Sequence, residues 1–232
     1  MNLVLSQWTA ADFDAFDSYL CGLGKGPDKA RWEQRILNTR LPCVAVPAPE
    51  VKRVVRQIAQ GNYRSYIDLW RWRNHTELCI LGQLICRLPF AEQKPMLVRY
   101  AQACDSWAGT DCLCFNAASH EEYLRFAVER LAAAHTFERR LGVVILLKIV
   151  APDTIEGILA ALPGLEQERE YYVNMAVAWL IAECFVKCRA ETLVFLQSGR
   201  YNAFVSRKAV GKCRDSYRVS PQDKQMLLQY RK

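Results

Sequence analysis

Histidine is scarce in this chain: His75, His120 and His135 are the only three, and they lie far apart. The ten cysteines include no Cys-x-x-Cys; Cys112 and Cys114 are two apart, Cys184 and Cys188 four apart, Cys79 and Cys86 seven apart. Without paired histidines at helical spacing or a zinc-like grouping, no metal site is expected. A glycine-rich phosphate loop and a nucleophile elbow are also missing, which removes the P-loop and hydrolase-elbow chemistries. Long apolar runs are few. Leu141 to Leu147 is short, and Val173 to Val186 is interrupted by Asn174 and Glu183, so no membrane span is expected. Ten cysteines at such spacings, without a secretory signal, suit a reducing, cytoplasmic compartment, with the thiols serving as small buried groups. Alternating apolar and polar residues are rare too, which argues against a sheet protein.

What the chain does have is helical periodicity. Its 232 residues are 51% apolar, enough for a real core. Leu124, Val128 and Leu131 form one stripe, Leu141, Ile145 and Ile149 another, and Val173, Val177, Leu180 and Cys184 a third. The pattern predicts fourteen helices, at about 9–22, 25–38, 47–60, 62–72, 75–87, 91–102, 105–116, 120–133, 136–150, 154–161, 169–187, 189–197, 202–213 and 220–231. Breaks fall at Pro89, Pro152 and Pro163-Gly164. Asp105 or Ser106 is placed to cap one helix, and Asp153 or Thr154 another. From the fifth helix, every second start recurs at roughly 30 to 33 residues, the step of stacked helix pairs. Trp107, Arg140, Trp179, Lys208 and Lys212 all lie on that alternating set and are expected to share one groove.

Charge is uneven. Residues 200 to 232 hold nine Lys and Arg against Asp215 and Asp223, which equals the whole net charge of +7. Such a concentration points to an anionic partner. Trp107 and Asp111 stand one helical turn apart, an aromatic beside a carboxylate. By itself that pattern describes a core tryptophan next to a solvated aspartate, and Trp179 in its apolar helix reads as core. Gly109 between the first two marks a close approach of another group, either a ligand or ordinary packing.

Four segments in order change the weighting: Ser106-Trp107 with Asp111, FERRLGVVILL at 137–147, YYVNMAVAWLIAECFVK at 171–187 and KAVGKCRDSYRVS at 208–220. Together, over about residues 47 to 230, they resemble the bacterial DNA alkylation repair proteins, HEAT-like-repeat DNA glycosylases that remove alkylated purines. The resemblance implies an all-α HEAT-like helical-repeat solenoid, an α-α superhelix of about six to seven antiparallel helix pairs forming a concave groove. It would be a single domain over 1–232, with residues 1–46 as N-terminal helices and 47–232 as the repeat array. The implied partner is duplex DNA containing alkylated bases, bound by a monomer with no cofactor, metal or membrane.

The resemblance also assigns roles. Asp111 would stabilise the sugar cation formed as the base departs, Trp107 and Trp179 would line the lesion, and Arg140 would hold a phosphate. Arg207, Lys208, Lys212, Arg214 and Arg218 are the further phosphate-contact candidates. Two other readings stay open: a non-catalytic HEAT-repeat protein that binds damaged or distorted DNA, and a helical-repeat scaffold for an acidic protein partner.

Overall fold

A computed structural model describes residues 1–115 and 120–232, and these two stretches pack as two units. Fourteen α-helices make up the described chain, α1 Asp12–Leu23, α2 Pro27–Leu37, α3 Ala48–Ile58, α4 Tyr63–Asp68, α5 His75–Ile85, α6 Phe90–Ala103, α7 Trp107–Asp111, α8 His120–Leu131, α9 Thr136–Lys148, α10 Ile155–Ala161, α11 Tyr171–Lys187, α12 Arg189–Ser198, α13 Ala203–Asp215 and α14 Pro221–Met226. The protein is all-helical, with neighbouring helices packed as in a helical-repeat fold. Polar caps account for several starts. The side chains of Asn62, Asn74, Ser106, Asn202 and Ser220 each accept a backbone N–H in the first turn of the following helix. Thr154 makes no such bond. Its hydroxyl is used in the preceding turn, 2.7 Å from the Ile149 carbonyl.

In the first unit, α5 is the central element, packed by α3, α4, α6 and α7. Ten of its residues are buried, His75, Thr76 and Glu77 among them. Burial pushes the Glu77 carboxyl up to about 7. One of its oxygens accepts the Arg73 backbone N–H at 2.5 Å, and the other has no partner. The N-terminal residues are well built into this unit. Trp8, Phe13, Phe16 and Tyr66 form a buried aromatic cluster with mostly edge-on rings 5.1–6.2 Å apart. The helix expected over 62–72 stops at Asp68, and Trp70 follows with φ of 45°.

In the second unit, α9, α11 and α13 pack in succession, while α8, α10 and α12 form a second layer. Alternate helices therefore stack together, as the repeat step predicts. Because α9 and α11 are covered by neighbours on several sides, they are buried almost all round. Leu141, Ile145 and Ile149 are fully or nearly fully buried, as are Val173, Val177, Leu180 and Cys184. Each such side chain contributes roughly 1.5–3 kcal/mol by leaving water. The stripe expected on α8 is shifted. Val128 is 39% exposed, and Tyr123, Phe126, Ala127 and Leu131 are the residues that face inward. The two aromatic rings, larger than Leu124 and Val128, take the interior face.

Most cysteines are buried, and burial pushes the Cys43 and Cys213 thiols up to about 12. They behave as packing groups rather than nucleophiles. No described helix is long and apolar enough to cross a membrane.

Candidate functional site

Helix α7 is much shorter than the 105–116 expected for it, ending at Asp111, and residue 116 lies outside the described residues. Five residues cannot hold a helix by local bonds alone, so tertiary contacts must fix it. They come from the end of α2. The Ser106 hydroxyl donates to the Leu37 carbonyl at 2.7 Å and also caps the Ala108 N–H. Trp107 Nε1 donates to the Ile36 carbonyl at 3.5 Å. Asp105 accepts from the Thr39 hydroxyl at 2.6 Å and the Arg40 N–H at 2.7 Å. The left-handed Asn38, with φ of 51°, turns the chain between these anchor points. Orphan carbonyls at the C-terminus of α2 are thus satisfied by the residues that place Trp107.

Trp107 and Asp111 are both half-buried. The Thr110 hydroxyl lies 3.0 Å from the Trp107 carbonyl and 3.4 Å from Asp111 Oδ1. Gly109 is explained by packing. A Cβ there would lie 2.7 Å from Cys104 Sγ, and the Gly109 carbonyl accepts the Tyr100 hydroxyl at 2.9 Å. The result is a carboxylate held one turn from an indole, neither sunk in the core nor free on a mobile loop.

The second unit carries the other candidates. Trp179 is half-buried and lines a surface cavity of about 310 Å³ with Glu183, Lys212, Asp215 and Arg218. Lys148 Nζ lies 5.9 Å from the Trp179 ring centroid, a cation that the sequence reading missed. Its signal was its place on α9, in the same alternating set as Trp179 and Lys212. Lys208 is exposed with its ammonium 5.7 Å from the Phe204 ring, and Arg214 is exposed. Arg207 reaches the Lys232 carbonyl at 3.3 Å. Arg218 is engaged by Glu183 through two bonds of 2.7 and 3.1 Å, and its guanidinium holds Glu183 below the usual carboxylate range.

Arg140 is not on a surface. It is 4% exposed, and its guanidinium donates to the Tyr172 carbonyl between α9 and α11. The structure thus places it inside, between two helices, rather than on an exposed face turned toward a phosphate. The α9 residues around it are buried nearly all round, so a side chain reaching toward α11 finds a backbone carbonyl before it finds solvent. Its neighbour Arg139 bonds Glu168 at 2.6 Å and the Ala133 and Ala134 carbonyls.

The family model described as DNA alkylation repair enzyme matches residues 24–212. The chain belongs to this family. The match reaches further toward the N-terminus than the four segments suggest, taking in α2 and the anchors of Trp107. It includes Trp107, Asp111, Arg140, Trp179, Arg207, Lys208 and Lys212 and ends before Arg214 and Arg218. No curated protein matches the chain. Membership makes this a protein of DNA alkylation repair, with DNA as its partner.

Proposed function

We propose that this repair protein is a DNA glycosylase that excises positively charged N-alkylated purines, of the 3-methyladenine and 7-methylguanine type, from duplex DNA. The observation that carries the reading is Asp111, half-buried one turn from Trp107 on a helix anchored by α2, in a chain of the DNA alkylation repair family. An alkylated purine of this kind already bears a positive charge. When the bond from C1′ to N9 breaks, its electron pair moves to the base, which leaves neutral and needs no proton from the protein. The sugar becomes oxocarbenium-like, and water adds to C1′ with loss of a proton to solvent. A fixed carboxylate beside that carbon stabilises the developing cation and orients the water. Asp111 is assigned that role.

Trp107 and Trp179 supply aromatic faces, which attract cationic groups by about 1 kcal/mol each. Lys208, Lys212, Arg207 and Arg214 are assigned to phosphates, where they add to salt dependence rather than to sequence choice. Arg218 joins them while tethered to Glu183. Arg140 is left out of the phosphate set and assigned to holding α9 against α11. No metal or organic cofactor is needed for this scheme.

The test is release of 7-methylguanine and 3-methyladenine from alkylated duplex. Asp111→Asn is expected to lower release at least about a hundredfold, the size typical of losing one charge-stabilising group, while DNA affinity persists. Unchanged release in that variant sinks the mechanism.

A further inference from the structure

Helix α2 does more than anchor Trp107. Its outer face exposes Trp32 at 44% and Ile36 at 47%, an aromatic and an aliphatic residue one turn apart. Single exposed apolar residues are ordinary, but a tryptophan left in water beside a second large apolar group marks a contact surface. Basic residues surround this pair. Lys29 sits one turn before Trp32 with its ammonium 3.1 Å from the ring centroid, and it also lies near Glu33. Arg35 is exposed beside Ile36, and Lys25 is exposed just ahead of the helix. The acidic residues of this helix are already occupied. Asp28 is bonded by Arg31, and Glu33 is turned inward to accept the Ala45 N–H at 2.9 Å.

The same helix ends at the carbonyls of Ile36 and Leu37, which receive Trp107 and Ser106. The apolar pair is therefore tied through a few bonds to the segment that carries Asp111. We infer that the Trp32 and Ile36 face of α2 is a DNA-contact surface that receives the duplex flanking the damaged base. Trp32 and Ile36 lie against sugars and base edges, and Lys29 and Arg35 take phosphates. Charge decides the occupant: an apolar pair ringed by cations whose neighbouring carboxylates are engaged fits a polyanion. The inference rests on reading Trp107 and Asp111 as the catalytic site.

The experiment uses the full chain and a duplex carrying one 7-methylguanine. Trp32→Ala is expected to weaken duplex binding about tenfold, the low end of aromatic contacts to bases. Trp32→Phe should recover most of the affinity. Lys29→Ala combined with Arg35→Ala should flatten the dependence of log affinity on log salt by about two. Trp32→Ala binding within twofold of the parent chain overturns the inference. So does a self-association of the parent chain that Trp32→Ala abolishes, since a second copy would then cover the face. The outcome for Asp111→Asn separates the two readings: undiminished release there removes the catalytic assignment whatever Trp32→Ala does to affinity.

Discussion

Replacing Asp105 by alanine tests whether α7 is held by α2. Asp105 accepts two hydrogen bonds, from the Thr39 hydroxyl at 2.6 Å and the Arg40 N–H at 2.7 Å, and its side chain is 17% exposed. The Arg40 guanidinium at 3.7 Å adds little, because that side chain is 94% exposed and screened by water. Hydrogen bonds to a charged acceptor are worth about 1.5–3 kcal/mol each. The Thr39 hydroxyl keeps one partner, the Leu41 N–H at 3.1 Å, which softens the loss. We therefore expect Asp105→Ala to cost about 3 kcal/mol. For a chain of 232 residues that lowers the melting transition by roughly 6–12 °C.

The functional consequence is the sharper half of the prediction. A five-residue helix has little stability of its own, so loosening Asp105 lets Trp107 and Asp111 shift. A displacement near 1 Å is enough to slow release by about a hundredfold. Scanning calorimetry and single-turnover base release on the same preparation, well below the shifted transition, give both numbers. If the transition moves by less than about 2 °C and release is unchanged, the anchoring argument is wrong.

Two further outcomes follow from single groups. Glu77 has a folded-state value raised to about 7 by burial, so the folded protein holds a proton there that the unfolded chain has released. Its contribution is present below pH 4.5 and is lost as pH rises through about 7. Glu77→Gln should accordingly raise stability by about 1–3 kcal/mol at pH 8 and change little at pH 5; a pH-independent difference in denaturant midpoints contradicts this. Gly109→Ala should cost about 1–3 kcal/mol by pushing a methyl group into Cys104 Sγ. Adding Cys104→Ala should return part of that stability in urea melts, and no recovery would show that packing is not the reason for glycine.

The all-helical character and nearly every helix were legible in the sequence because helix formation leaves a local trace. Apolar residues at spacings of three and four, prolines at starts and polar caps are read within one turn. The stripes on α9 and α11 were right for that reason, and the alternating step marked the layer of α9, α11 and α13. On α8 the same reasoning was right for Leu131 and wrong for Val128, since periodicity does not say which of two adjacent stripes the neighbours cover. Trp107 and Asp111 were legible as a pair one turn apart. Their setting was not, because Ser106 meets Leu37 across 69 positions and Asp105 meets Thr39 across 66.

Arg140 shows the same limit from the other side. An arginine on a helix reads as surface until the neighbouring helix is known, and here α11 supplies the Tyr172 carbonyl that takes its guanidinium inside. The sequence by itself determined the helices, the basic C-terminal segment and the kinship of the chain, all of which are written in residue type and short spacing. Tertiary structure alone decided which charges stay in water, that α2 fixes Trp107, and that Trp179 shares a cavity with Lys212. Those outcomes depend on which distant carbonyl, ring or carboxylate arrives first to satisfy a polar group that folding removes from water.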